Sequence, residues 1–184
     1  MKKLIIFIFY ILLSNITPTL AVVEVDITRG NLDPLPIAVS PLHVESGSID
    51  IKIGDKNIKN IGEEISKVIE VNLKRSGLFN PLKKDSFVQN PDIAHIKPRF
   101  EDWTLIKAQA LVTGKVIVKE DKLRAEFRLW DLVAAKEMVA LAFSTTPDNW
   151  RRVAHLISDK IYLNNFRNFF TNIFNNFFIL FNIF

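Results

Sequence analysis

Apolar and polar residues follow two different periods along this chain, and each period predicts a type of secondary structure. Across residues 58–73 the apolar positions recur at helical spacing, and Gly77 stands just beyond them. This pattern is typical of an amphipathic helix of roughly four turns that ends at a left-handed residue. The positions that carry the spacing are Ile58, Ile61, Ile65, Val68, Ile69, Asn72 and Leu73.

A period of two runs through residues 110–144, where three consecutive strands are expected. The three strands are predicted over residues 110–119, 122–130 and 137–144, and short polar segments separate them. The inner face is predicted to carry Leu123, Ala125, Phe127 and Leu129 in the second strand and Val139, Leu141 and Phe143 in the third. Connections this short predict an antiparallel meander.

A further helix is expected to begin near Thr146 and Pro147, because threonine can cap a helix and proline fits its first turn. Its apolar face is formed by Trp150, Val153, Ala154, Ile157 and Ile161. We therefore expect a buried Trp150 with Arg151 and Arg152 in solvent. The alternative for these three residues is an anchor at a protein interface.

Two shorter elements complete the predicted domain. Residues 37–44 are expected to form a short strand, which Pro41 places at a sheet edge or at a strand end. Residues 100–107 are expected to form a short helix. Helices packed on one side of such a sheet give a two-layer domain. The predicted fold class is α+β, with a mixed, mostly antiparallel sheet and two main helices on one face.

The first 21 residues have the pattern of a secretory signal peptide. Lys2 and Lys3 precede an apolar run over residues 4–13, and Thr19 and Ala21 stand where a cleavage site requires small side chains. An apolar run of ten residues is short for a membrane span, which needs about 20. We expect cleavage after Ala21 and export to the periplasm. The chain has no cysteine, so its core must hold without disulfides.

Residues 22–36 form an extended segment, in which Val23, Val25 and Ile27 alternate with polar residues. Two roles fit this strand pattern. The segment is either an edge strand of its own domain or a peptide that completes the sheet of another protein by β-augmentation. The residues alone favour the edge strand, because an isolated terminal strand is poorly ordered unless something pairs with it.

Charge and side-chain chemistry exclude several functions. The chain has 24 basic and 20 acidic residues, but Lys2, Lys3 and Arg167 lie outside residues 22–163, which are nearly neutral. This balance gives no reason to expect nucleic-acid binding. The three histidines, His43, His95 and His155, lack metal-ligand spacing and are expected at the surface or its boundary. We expect no catalytic, cofactor or metal site, no small-molecule substrate and no enzymatic activity.

Five stretches of the chain, taken in order, resemble the TolB amino-terminal domain. They are residues 26–42 (DITRGNLDPLPIAVSPL), 63–82 (EEISKVIEVNLKRSGLFNPL), 98–116 (PRFEDWTLIKAQALVTGKV), 127–131 (FRLWD) and 150–162 (WRRVAHLISDKIY). Each motif alone is weakly specific, but five at matching spacing behind a signal peptide form a specific pattern. The domain is expected to span residues 37–162.

The resemblance implies a non-enzymatic periplasmic component of the Tol-Pal system of Gram-negative bacteria. In this family the mature N-terminus contacts the C-terminal domain of TolA, and the system supports outer-membrane integrity and its invagination during cell division. Carried over by position, the TolA-binding residues are Val22, Val23, Glu24, Val25, Asp26, Ile27, Thr28 and Arg29. The resemblance thus favours the β-augmentation role for this segment.

The family pattern stops at residue 162, and a tail rich in phenylalanine and asparagine follows over residues 163–184. The resemblance implies a six-bladed β-propeller after the domain, which binds the lipoprotein Pal. Here the propeller is missing, so Pal binding is expected to be lost. Phe, Asn and Ile have AT-rich codons, so we interpret the tail as a frameshift product. The alternatives are a membrane-associated structural protein that docks through this tail, or a non-functional gene remnant. The tail is not expected to span a bilayer, because its longest apolar run, residues 177–181, is too short.

Overall fold

The alternating strands of the second half of the chain form one side of a larger mixed sheet. The computed structural model describes residues 33–46, 51–53, 56–58 and 60–164, with backbone alone for residues 51–53 and 56–58. In these residues the strands are β1 Leu35–Val39, β2 His43–Val44, β3 Ile51–Ile53, β4 Lys56–Ile58, β5 Phe79–Pro81, β6 Ala110–Lys119, β7 Lys122–Asp131 and β8 Lys136–Thr145. The helices are α1 Ile61–Arg75, α2 Pro91–Ala94, α3 Phe100–Leu105 and α4, which covers residues 150–164.

The sheet combines a parallel half with an antiparallel half. Its strand order is β5-β1-β6-β7-β8, and β2 runs beside β6 beyond the end of β1. The parallel pairs are β1 with β5, β1 with β6 and β2 with β6. The antiparallel pairs join β6, β7 and β8 into the expected meander. The predicted α+β class with a mixed sheet is confirmed.

Helix α1 forms because its sequence supplies a cap, an apolar stripe and charges of the favourable sign at each end. The Asn60 side chain accepts a hydrogen bond from the Glu63 backbone N–H at 3.2 Å, and acidic residues occupy the first turn with basic residues in the last. The helix buries Ile61, Ile65, Ile69 and Leu73. The prediction that Ile58 belongs to this helix is wrong, since Ile58 ends β4 and the cap at Asn60 separates the two elements.

Both main helices pack on the same face of the sheet, as expected. Their apolar stripes meet Ile37 and Val39 of β1 and the alternate residues of β6 and β7. Trp150 is 1% exposed within this cluster, and the guanidinium carbon of Arg151 lies 4.3 Å from the centre of its ring. The prediction of a buried Trp150 beside solvent-exposed arginines is therefore confirmed.

A second, smaller apolar cluster lies on the opposite face of the sheet, and the sequence pattern did not predict it. The short helices α2 and α3 cover Ala38 of β1 and Leu111 of β6 there, with Trp103 at the centre. Gln89 fixes this cluster, because its side-chain oxygen accepts from Trp103 Nε1 at 3.0 Å and from the Arg99 backbone N–H at 2.9 Å. The polar connection before α3 thus contains a buried residue that orients a tryptophan.

Two strands add detail to the sequence expectations. Of the two positions expected for residues 37–44, a sheet edge or a strand end, the structure shows the strand end, because β1 lies between β5 and β6. Pro41 does end the strand, since it falls in the break between β1 and β2. Leu141, expected on the inner face of β8, is 42% exposed, whereas Val139 and Phe143 pack against the core. Leu141 lies opposite buried Phe127, on the same face of β8 as Val139 and Phe143, so its exposure follows from the outer position of β8.

Candidate protein-interaction site

The residues assigned to TolA binding, 22–29, lie outside the residues that the structure describes, so their role stays a prediction. The structure does describe β1, the strand that follows this segment along the chain. β1 begins at Leu35, whose backbone N–H donates to the Leu78 carbonyl at 2.9 Å, and its residues 37–39 are fully buried. Since β1 has neighbours on both sides, the N-terminal segment is tethered through residues 30–34 to a central strand of the sheet.

The end of the sheet where β1 starts also exposes apolar side chains. Gln109, in the α3–β6 connection, donates its backbone N–H to the Pro36 carbonyl. Its own carbonyl accepts from the backbone N–H of Leu132, in the β7–β8 connection. These two connections therefore meet at this end of the sheet. Leu105 and Val133 in those connections are 78% and 79% exposed, the highest values among the large apolar residues that the structure describes. These two side chains are the most exposed apolar surface at this end of the described domain.

Two histidines that lie far apart in the sequence stack against each other. The rings of His43 in β2 and His95 at the end of α2 are parallel within 2°, with centroids 4.3 Å apart. His43 Nδ1 lies 2.6 Å from a carboxylate oxygen of Asp92. Burial lowers the pKa of His95, and nearby His43 acts in the same direction, whereas the hydrogen bond to the Pro91 carbonyl opposes them. The cluster therefore joins β2 to α2, and no spacing signal in the sequence could have found it.

This histidine pair predicts a pH dependence of folding stability. Because the folded-state pKa of His95 lies below its ordinary value of 6.5, the unfolded chain binds more protons than the folded chain once the pH falls below that value. Stability contributed by neutral His95 is therefore fully present above 6.5 and lost as the pH falls. We expect urea unfolding to show a steeper loss of stability from about pH 8 to about pH 5.5 in the wild type than in His95→Asn. Equal slopes for the two proteins would contradict this prediction.

A groove on the open face of the sheet carries charges that are already paired. It has a volume of about 540 Å³ and runs from His95 and Ile96 across β6 and β7 to β8. Lys115 pairs with Glu45 at 2.7 Å, a hydrogen bond that lowers the pKa of the Glu45 carboxyl, and Arg124 pairs with Glu126 at 2.9 Å. Since its cations have acidic partners, this groove offers little attraction to a charged ligand.

A second groove, here called the edge groove, lies between β8 and α4. Met138, Val139, Ala140 and Leu141 line one side, Lys160, Leu163 and Asn164 line the other, and the volume is about 630 Å³. Leu163 is 56% exposed. Five of the seven lining residues are apolar, and Lys160 and Asn164 are polar. This arrangement fits an uncharged apolar segment better than it fits a polar small molecule.

Catalytic and metal chemistry find no support in the part of the chain that is described. Across these residues, His, Cys, Asp and Glu side chains form no group of three or more that could hold a metal ion. Within the same ranges, no helix combines the length and the apolar character that crossing a bilayer requires. The expectations of no metal site and no enzymatic activity therefore stay predictions, and interaction surfaces are the features with the clearest geometry.

Comparison with known proteins points to one family. The family model of the TolB amino-terminal domain matches residues 23–138. The Tol-Pal system protein TolB of Pelagibacter ubique (strain HTCC1062) is 59% identical over 160 residues, which cover 85% of this chain and 35% of that protein. The chain thus spans about a third of the length of this curated relative.

One solved structure agrees with the fold. TolB from Acinetobacter baumannii has a TM-score of 0.55 to this chain at 20% identity, and the match covers 71% of this chain and 28% of that one. A hypothetical protein from Chlamydia trachomatis has a TM-score of 0.48 at 15% identity and covers 61% of this chain and 72% of that one. The likeness to the Acinetobacter structure supports the α+β arrangement and, at this identity, nothing beyond it.

Proposed function

The chain belongs to the TolB amino-terminal domain family, and from that premise we propose that it acts as a periplasmic, non-enzymatic component of the Tol-Pal system. In this proposal residues 22–29 bind the C-terminal domain of TolA and so contribute to outer-membrane integrity and to its invagination during cell division. The observation that carries the proposal is the extent of the family match, which begins at residue 23 and so includes almost all of the N-terminal segment.

Binding by β-augmentation explains the sequence of this segment. An added strand gains affinity from main-chain hydrogen bonds and specificity from the side chains on one of its faces. Val23, Val25 and Ile27 share one face, and Glu24, Asp26 and Thr28 share the other. We expect the apolar face to pack on TolA while the polar face stays in solvent.

Binding to Pal is not part of the proposed function of these 184 residues. The resemblance assigns Pal binding to a β-propeller, and the chain covers 35% of the Pelagibacter relative. We therefore propose TolA, and not Pal, as the partner of these 184 residues.

Substitutions on the two faces of the segment test this function. Val25→Asp places a charge on the apolar face, so we expect at least about a tenfold loss of affinity for the TolA C-terminal domain, which corresponds to about 1.4 kcal/mol. Asp26→Asn, on the opposite face, is the matched control and should change the affinity by less than about threefold. Isothermal titration calorimetry with purified proteins measures both values. Unchanged binding by Val25→Asp, or equal losses in the two variants, would overturn the assignment.

A further inference from the structure

The edge groove lies beside a strand that natural proteins usually protect. On its outer side β8 has no neighbouring strand among the described residues. Residues 138–145 of β8 contain neither a charged residue nor a proline, the two devices that most often block unwanted pairing at a sheet edge. Leu141 and Leu163 face the groove while 42% and 56% exposed. A groove lined by five apolar residues, beside the part of β8 that follows Lys136 and Glu137, is a site that a further segment would cover.

We propose that the edge groove binds residues 165–184 of this same chain. The described part of the chain ends at Asn164, and both Leu163 and Asn164 line the groove. The next residue therefore starts at the site, and a 20-residue segment reaches any part of it. This inference is independent of TolA binding, which involves the opposite terminus of the chain.

The composition of residues 165–184 matches the chemistry of the groove. The segment contains eight phenylalanines and one charged residue, Arg167. The groove is lined mainly by aliphatic side chains and one cation, Lys160. Aromatic side chains bury a large apolar area against such a lining, and the uncharged part of the segment brings no charge that would need desolvation.

Tethering favours this segment over a second copy of the chain. A covalently linked segment has an effective concentration in the millimolar range, whereas a second copy at micromolar concentration is about a thousandfold more dilute. A bilayer is also a poor alternative, because interfacial segments usually present several lysines or arginines, and residues 165–184 contain only Arg167. Docked in the groove, the segment would cover Leu141 and Leu163 and keep β8 from pairing with other chains.

Disulfide trapping in the full chain tests this docking, and the absence of native cysteine makes any cross-link unambiguous. Ala140→Cys, in the groove, is combined in turn with Asn168→Cys, Asn172→Cys and Asn176→Cys. Leu105→Cys, on a helix that packs on the opposite face of the sheet from α4, is combined with the same three as the matched control. We expect at least one groove pair to form an intramolecular disulfide about fivefold more efficiently than its control, measured on non-reducing gels and by mass.

A groove variant adds a second, independent measurement. Leu163→Asp places a charge at an exposed position of the lining, so the domain should keep its circular dichroism spectrum while cross-linking falls about fivefold. Cross-linking at the control level for all three groove pairs would overturn the proposal. Disulfide-linked dimers of Ala140→Cys alone at about 1 µM would instead assign the groove to a second copy. Flotation with phosphatidylglycerol vesicles, coupled to loss of the intramolecular cross-link, would assign residues 165–184 to a membrane.

Discussion

Replacing Gly62 with alanine is expected to lower the free energy of unfolding by about 2–4 kcal/mol. Gly62 is the second residue of α1, and a side-chain carbon there would overlap the carbonyl oxygen of Leu42 and lie 3.2 Å from Cγ2 of Val44. Helix propensity alone favours alanine by up to about 1 kcal/mol. The overlap is with backbone atoms, which cannot rotate away as a side chain could. Helix α1 must therefore move away from the β1–β2 connection, and the cost of this movement exceeds the gain in helix propensity.

The separation would also break a buried set of hydrogen bonds. The single hydroxyl proton of Ser66 is shared between the carbonyl oxygens of Ser40 and Gly62, at 3.1 and 3.0 Å, and Ser66 Oγ accepts from the Leu42 backbone N–H at 3.1 Å. Leaving such groups unsatisfied in a buried position costs about 1–3 kcal/mol. The measurement is urea unfolding monitored by tryptophan fluorescence and circular dichroism.

Gly77→Ala is the matched control for Gly62→Ala, because the two glycines are required for different reasons. Gly77 has φ +73°, and no atom lies within 4 Å of the position that a side-chain carbon would take there, so its constraint is conformational. Alanine in the left-handed region costs about 1–2 kcal/mol. We therefore expect Gly77→Ala to destabilise the domain less than Gly62→Ala. An alanine at Gly62 that proved neutral or stabilising would contradict the close packing of α1 on Leu42.

Trp103→Ala is expected to destabilise the domain by about 3–5 kcal/mol. Trp103 is 1% exposed at the centre of the cluster between α3 and the sheet, where Phe87 packs edge-on at 5.0 Å between ring centroids. Its removal would leave a cavity and deprive Gln89 of the Trp103 N–H that it accepts at 3.0 Å. Since the total stability of such domains is about 5–15 kcal/mol, the variant should unfold at markedly lower urea concentration.

A pair of tryptophan-to-phenylalanine substitutions separates the hydrogen bond from the packing. Trp103→Phe removes both ring volume and a buried hydrogen bond. Trp150→Phe removes ring volume and weakens the contact with the Arg151 guanidinium, but it removes no hydrogen bond, because Trp150 Nε1 has no partner in the described part of the chain. We expect Trp103→Phe to cost about 1 kcal/mol more than Trp150→Phe, both measured by urea unfolding. The reverse order would show that Gln89 does not hold Trp103 as the structure indicates.

Periodicity predicted the helices and the meander well, and it failed where contacts between distant residues decide the outcome. The stripe of Ile61, Ile65, Ile69 and Leu73 predicted α1, and only its start was wrong, because helical spacing alone cannot distinguish Ile58 at the end of β4 from the first turn. Pro41 predicted a strand end but not the parallel neighbours that place β1 within the sheet. A local pattern shows that a strand is half-buried or buried, and it does not show which strands flank it.

The candidate site shows the same division. The strand pattern and the family resemblance single out residues 22–29, and the family match includes residues 23–29. The stacking of His43 on His95 could not be predicted, because it depends on the pairing of β2 with β6 and on the position of α2. The edge groove likewise requires α4 to lie against β8, two elements whose side chains meet only in the folded domain.

The sequence by itself determined the two main helices, the meander, the α+β class, the buried position of Trp150 and the family. Each of these depends on residue spacing within a few turns or on motifs in order along the chain. The tertiary structure decided which strand is central, which glycine is sterically required, how Gln89 holds Trp103 and where the edge groove lies. These features depend on the register between strands and on the packing of helices against them, which join residues far apart in the chain and leave no periodic signal in it.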